Sequence, residues 1–356
     1  MWLYGQQWTR RELEARVGRI EQLGGVRRLR HTEGMEEGNE WIQVRTGSGL
    51  TYYISPHRGL DISLAEYAGV PLSWQSPNGD PHPAYYDAQG KSWVHTAAGG
   101  LLMTCGLMNV GLPNDDLDKH YGLHGRIHHL PSRHVSAEAH WNDEEYEMCV
   151  RGVIDETSIF GDQLRLTREI RSRLGENVIR IHDTVENMGF HPAGHMILYH
   201  INLGFPLMHE ATTSTFPPAS IVPVVSSTSQ EGIEQWQVPT KGYHERVYEH
   251  QLTSPYHFSD WASVFTTNPT FPLPGTEYGS PLALEVRFKP HQLPRLFQWK
   301  MPGEGMHALG IEPSNCGVKG RAHEREQGTL QYLEPGESRQ YELEIHIHLS
   351  THEHLS

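Results

Sequence analysis

Four segments of the chain gather residues able to do acid–base chemistry on a polar substrate. The first, Pro56-His-Arg-Gly-Leu-Asp-Ile62, sets Arg58 and Asp61 around a glycine where a strand begins. The second runs from Gly99 to Gly111, carries Asn109, and leads into Tyr121-Gly-Leu-His-Gly-Arg-Ile-His-His-Leu-Pro131. There His124 stands two positions before Arg126, with Gly122 and Gly125 on its two sides. Glycine beside a polar side chain lets backbone or ligand come close. The third segment, Leu198-Tyr-His-Ile-Asn-Leu-Gly204, reads as a strand, so His200 and Asn202 share a face. In the fourth, Gly310-Ile-Glu-Pro-Ser-Asn315, Glu312 ends an apolar strand just before a proline, and Gln298-Trp-Lys300 precedes it. A histidine and a carboxylate tuned toward neutral pKa by burial and neighbours suit proton transfer.

The chain holds 25 histidines in 356 residues, so a histidine counts only in a special context. Each of these residues also has a structural reading. His124 could be a turn histidine bonded to backbone, and Glu312 a rim carboxylate paired with an arginine. By periodicity alone, His200 reads as a satisfied core histidine. Arg58 and Arg126 could be ion-pair partners. His128-His129 reads as a loop pair without a role.

Elements that could position these groups are mostly strands. Period-two patterns predict strands over 41–45, 51–55, 133–141, 145–154, 163–174, 177–185, 195–203, 262–267, 282–289, 295–300, 307–311 and 339–349, with a hairpin over 60–74. Thr9 ahead of Arg10-Arg11-Glu12 forms a capping-box pattern, and Leu13, Val17 and Ile20 follow at helical spacing up to Gly24-Gly25. Long Pro- and Gly-rich loops are expected at 76–92, 109–122 and 210–260. The fold class is therefore all-β, a large antiparallel β-sandwich with a short N-terminal helix. The expected division is an N-terminal helical extension over 1–34 and a sandwich domain over 35–350.

Composition narrows the function. A formal net charge of −14 argues against nucleic acid and anionic membrane surfaces. Cys105, Cys149 and Cys316 are odd in number and far apart, as expected of reduced thiols in a cytoplasm. The first residues show no apolar leader, and no apolar run is long enough to span a bilayer. The N-terminal helix and the 210–260 loop are the places where a homo-oligomer would form its interface.

Taken together, the four segments resemble the aldose 1-epimerase (galactose mutarotase-like) superfamily. More narrowly, they resemble a bacterial branch carrying Arg-Gly-Leu-Asp, Gly-Gly-Leu-Leu-x-Thr-Cys-Gly-Leu and Tyr-Gly-Leu-His-Gly-Arg. His124-Gly125 matches the family's early His-Gly motif, His200 before Asn202-Leu-Gly204 its second histidine, and Glu312-Pro313 its late glutamate. The chain departs from galactose- and glucose-acting members in two ways. Its second histidine lies two residues before the Asn rather than four, and the early Asn-Arg motif is absent, with Arg58 in its place. The resemblance implies a mutarotase-like supersandwich binding a small-molecule sugar or sugar derivative. It implies Glu312 and His200 as the catalytic pair that opens and recloses the hemiacetal ring. His124 and Arg126 would hold the ring oxygen and hydroxyls, while Arg58, Asp61, Asn109, Asn202 and Lys300 would complete the binding site. Trp93 or Trp299 would stack on the sugar.

Three alternatives stay open. The same cleft could serve an isomerase, epimerase or lyase acting on a keto, deoxy or anionic sugar. The chain could instead be a non-catalytic sugar-binding module. Metal-dependent isomerisation is the third. His120, His124 and His128 recur every fourth residue, but that spacing ligates on a helix, which Gly122 and Gly125 oppose. His346-x-His348 lacks the upstream glycine of a cupin-type site. No metal and no cofactor are expected for the reaction.

Overall fold

Alternating strands need a second layer to cover their apolar face, and this chain supplies three sheets around one core. The computed structural model describes residues 1–225, 232–253, 256–257 and 260–349. An eight-stranded antiparallel sheet runs in the order Arg133–Asn142, Glu145–Thr157, Gln163–Arg173, Val178–Asn187, Ser338–Leu349, Ser280–Phe288, Ala262–Phe271, Thr213–Thr215. A second sheet runs Ala219–Pro223, Arg246–Leu252, Arg295–Gly303, Met306–Ser314, Ala193–Leu203, Gln331–Leu333, and Met103–Leu107 also pairs with Ala193–Leu203. A five-stranded meander covers Gly25–Arg30, Glu40–Arg45, Leu50–Ser55, Asp61–Tyr67 and Val70–Pro71. Ile345 and Val286 of the first sheet, Ile201 and Ile311 of the second, and Ile42 and Ile54 of the third meet in a single buried cluster. This is the β-sandwich that the alternation predicts.

Ser338–Leu349 shows the patterning at its clearest. Tyr341, Leu343, Ile345 and Ile347 are buried, and the intervening residues face outward. Ala193–Leu203 behaves differently, being buried at every position. One face of it joins the sandwich core through Ile197, Tyr199, Ile201 and Leu203. The other places Met196 and Leu198 in a smaller cluster with Phe297, Cys105 and Val110. A strand covered on both sides can carry His200 and Asn202 out of bulk water.

Several expectations need correction. The N-terminal helix spans only Arg10–Glu14, although Thr9 and Glu12 do form the capping box. After Ala15 the chain tightens, and Ile20–Gln22 is a separate 3-10 turn. Arg16-Val17-Gly18 does not sustain the α-helix, since glycine and the β-branched valine both weaken it. Leu13 still docks, against Leu3, Tyr146 and Leu174. Gly25–Arg30 pairs with Glu40–Arg45, so the boundary expected after residue 34 falls inside a hairpin. The stretch taken as one loop over 210–260 contains three strands, Thr213–Thr215, Ala219–Pro223 and Arg246–Leu252. Residues 226–231, 254–255 and 258–259 of that stretch, and residue 350 of the expected 35–350 domain, lie outside the described residues. The 109–122 loop holds a short hairpin, Asn114–Asp116 with Lys119–Tyr121. Among the described residues no helix is long and apolar enough to cross a membrane.

Candidate active site

Strand register brings the two proton-transfer candidates together. Ala193–Leu203 pairs with Met306–Ser314 so that Ile201 faces Ile311 and Leu198 faces Ser314. That register sets His200 opposite Glu312, and the His200 Nε2 to Glu312 Oε1 distance is 3.1 Å. Directly opposed side chains on one face of an antiparallel pair are close enough to interact. Both residues are buried. Burial pushes the Glu312 carboxyl up to about 8, helped by the negative charge of Glu245. Burial lowers His200 to about 3, and the neighbouring His124 lowers it further. Both shifts favour the uncharged forms, so the pair holds a single proton between its two members near neutral pH.

The next position on the Glu312 face is Gly310, which lies between Asn202 and Trp299 on the flanking strands. A Cβ there would come within 2.8 Å of Glu312 Oε1 and 2.9 Å of His200 Cε1. The missing side chain leaves the floor beside the pair open. Trp299 borders it, with its ring 5.6 Å from that of His200, and Trp74 packs edge-on to Trp299 at 5.9 Å. The Trp299 indole N–H donates to Glu245 at 2.8 Å, which fixes the ring.

His124 reaches the same cleft from the loop after Tyr121. Its φ is +55°, a left-handed conformation that costs a non-glycine residue roughly 1–2 kcal/mol. The strain is held by two backbone bonds: the His124 N–H donates to Gly111 at 2.9 Å, and its carbonyl accepts from Gly106 at 3.0 Å. The His124 ring then stands edge-on to His200 at 6.2 Å, backed by Trp93 at 5.0 Å. Nδ1 of His124 accepts from the Gly111 N–H at 3.4 Å, which leaves Nε2 as the protonated nitrogen of the neutral ring. Burial lowers this histidine to about 4.

The glycines around His124 serve backbone packing rather than ligand approach. Gly125 has φ of +72°, and a Cβ there would lie 2.3 Å from the Gly106 carbonyl oxygen. Asn202 joins the site next to His200, its amide donating to the Gly100 carbonyl at 3.0 Å. Asn202 Oδ1 and His200 Nδ1 are buried side by side without a hydrogen bond of good geometry to any other described group, and the Asn202 side chain pulls the His200 pKa upward against the effect of burial.

Other expected binding residues are engaged with the fold around the cleft. Arg58 is fully buried and donates to the carbonyls of Pro81 at 2.6 Å and Thr96 at 2.5 Å. Asp61 accepts from Thr104 N–H and hydroxyl, and it pairs with His128 at 2.6 Å and Arg168 at 2.6 Å. Its oxygens are used up in a buried network that continues from Arg168 to Asp183 and Tyr199. Asn109 donates to Gly122 O and accepts from Asn114 and the Arg321 N–H, pinning three loops. Lys300 is next to Trp299 and so points to the opposite sheet face, where its ammonium is held by the carbonyls of Gly232 and Gln235. The polar atoms of Asp61, Asn109 and Lys300 named here serve the fold, as do two of the Arg58 guanidinium nitrogens, while Arg58 Nε is buried without a hydrogen-bond partner among the described residues. Arg126 is exposed beside the loop, and its charge acts on Tyr86 and on buried Glu156. His128 and His129 are not idle either. Both are buried, one on Asp61 and the other hydrogen-bonded to Thr96 at 3.0 Å and stacked on Tyr86.

Sequence reasoning missed Gly310, Trp74 and Glu245. Gly310 had a legible signal, since it lies two positions before Glu312 and hence on the same strand face.

Comparison with known proteins places the chain in a family. The profile of a family described as a domain of unknown function, DUF4432, matches residues 36–347. No curated protein sequence matches the chain. A Klebsiella pneumoniae subsp. pneumoniae crystal structure, provisionally described as an aldose 1-epimerase, superposes with a TM-score of 0.80 at 25% identity, covering 90% of this chain and 83% of that one. A galactose mutarotase-like protein from Clostridium acetobutylicum superposes with a TM-score of 0.58 at 13% identity, covering 92% and 99% of the two chains. Galactose 1-epimerase from Lactobacillus acidophilus gives 0.58 at 9% identity, again over 92% and 99%. The chain belongs to the DUF4432 family and has the galactose mutarotase-like fold.

Proposed function

We propose that this protein is a sugar isomerase of the aldose 1-epimerase type, with His200 and Glu312 as its catalytic pair. The observation that carries the reading is the buried 3.1 Å contact between His200 and Glu312 on neighbouring strands. Anomer exchange needs one group that takes the proton of the anomeric hydroxyl and one that gives a proton to the ring oxygen. A pair sharing one proton supplies both and ends the cycle with the same proton count. A sugar entering between the two side chains hydrogen-bonds to the carboxylate form of Glu312 and stabilises His200 as the donor. Glu312 then accepts the hydroxyl proton while His200 protonates the ring oxygen. The bond from C1 to the ring oxygen breaks, the aldehyde rotates about C1–C2, and reclosure reverses both transfers. His124 offers Nε2–H as a donor, Asn202 offers its side-chain carbonyl oxygen beside His200, and Trp299 offers an apolar face. The superposition on a structure provisionally described as an aldose 1-epimerase supports the same reading.

The test is NMR exchange spectroscopy between sugar anomers, preceded by a thermal-shift screen of aldoses, uronates and other anionic sugars to find a ligand. Glu312→Gln and His200→Ala are expected to lower the enzyme-dependent exchange rate by about 10²-fold or more, the usual weight of general acid–base catalysis. Exchange at the wild-type rate in either variant overturns the mechanism.

A further inference from the structure

On the outer face of the eight-stranded sheet, His346 and His348 stand two positions apart on Ser338–Leu349 and so point the same way. Glu285, on Ser280–Phe288, is paired in register with His346. One donor atom from each of the three side chains can be chosen so that all lie within 4.8 Å of one another. The two imidazole rings are parallel, 5.8 Å apart and inclined by 11°.

We infer that Glu285, His346 and His348 form a binding site for one divalent transition-metal ion of the zinc class. Two imidazoles and a carboxylate are ligands such an ion accepts, with water completing the tetrahedron. Zinc ligand bonds are about 2.0–2.2 Å long, so three donors this close need only side-chain rotation to converge. The surroundings orient the carboxylate. The Ser263 hydroxyl donates to Glu285 Oε1 at 2.6 Å, while Oε2 meets His348 Nε2 at 2.7 Å. Arg287 lies toward Oε1, at 3.7 Å, and is engaged with Glu344 at 2.9 Å, which keeps its charge off the Oε2 side. Glu344 in turn holds His346 Nε2 at 2.8 Å and adds negative charge. The metal would take the place of the direct contact between His348 Nε2 and Glu285 Oε2.

This site is distinct from the sugar cleft. The buried residues that alternate with its two histidines, Ile345 and Ile347, belong to the core that also holds Ile201 and Ile311, so the two sites lie on opposite outer faces of the sandwich. The ion would clamp two central strands and take no part in the proposed proton transfer.

The experiment uses tag-free full-length protein, stripped with chelator and dialysed against zinc chloride, with bound metal counted by plasma mass spectrometry and affinity measured by calorimetry. Wild type is expected to hold one zinc ion and to melt at a higher temperature with zinc than without. Glu285→Gln and the double variant His346→Ala/His348→Ala should bind zinc about tenfold more weakly or worse. Calcium should not substitute, because it prefers several oxygen ligands. The control is His120→Ala/His209→Ala, which removes two exposed histidines paired with Asp115 and Glu210. It should bind as wild type does. Circular dichroism confirms that each variant is folded. If wild type takes up no zinc, or the cluster variants match it in stoichiometry and affinity, the site does not exist.

Discussion

At the scale of single residues, the site rests on one atom that is absent and one proton that is shared. Gly310→Ala adds a methyl group between Glu312, His200 and Trp299 without backbone strain, since Gly310 is not among the positive-φ glycines. It should reduce kcat/KM by about 10²-fold, as a misplacement near 1 Å does, with the fold intact by circular dichroism. The shared proton predicts a bell-shaped pH profile for anomer exchange. The alkaline limb falls near 8, where the pair loses its proton, and the acid limb appears when the pair takes up a second one. Stability follows the same group. Burial raises the folded Glu312 pKa above its unfolded value, so its stabilising contribution is present below about 4.5 and lost as pH rises toward 8. Glu312→Gln should therefore gain melting temperature over wild type progressively between pH 5 and 8, reaching on the order of 2 °C or more. A difference that stays constant with pH would show that Glu312 ionises normally. Residue types and spacing made His124, His200 and Glu312 legible. They could not show which polar atoms the fold would engage, as it does those of Asp61 with Arg168 and His128 and of Lys300 with backbone carbonyls.

At the scale of elements, parity was legible and pairing was not. The sequence shows that His200 and Asn202 share a face because a strand has period two, but it cannot show that Glu312 lies opposite. That fact depends on register between segments 112 positions apart (312 minus 200), fixed by Ile201 facing Ile311. In Gln298-Trp299-Lys300 only one parity can face the cleft, and pairing of Trp299 with Gly310 gives that place to the tryptophan. The long strands were read well because each buries one clean stripe. Arg246–Leu252 was missed because its apolar stripe is broken: His250 is fully buried, stacked on Phe216, and bonded to Gln298. Behind the cleft, Asp61, Arg168 and Asp183 tie the meander to the eight-stranded sheet. Asp61→Asn leaves the Arg168 guanidinium short of a counter-charge and should destabilise the fold by about 3 kcal/mol in urea titrations. Sugar affinity of the remaining folded fraction should be unchanged. Loss of binding without loss of stability would return Asp61 to the substrate site.

For the whole molecule, the sandwich class, its antiparallel sheets and its family resemblance were visible because three features agreed: alternation, turn residues and the order of motifs. The strand order was not visible. Val178–Asn187 is bordered not by its successor in the chain but by Ser338–Leu349, which also pairs with Ser280–Phe288. That arrangement has a consequence for synthesis on the ribosome. Until residues 338–349 emerge, two neighbouring strands each wait with an open row of backbone donors and acceptors, and such edges recruit other chains. Native pairing across so great a sequence separation is also slow, because loop closure comes before the contacts that reward it. A chain stopped after residue 337 should accumulate as aggregate and regain solubility when the missing strand is supplied as a peptide, measured by the soluble fraction after centrifugation. The half-made protein would thus depend on chaperones for most of its translation, and the last strand would release it from them.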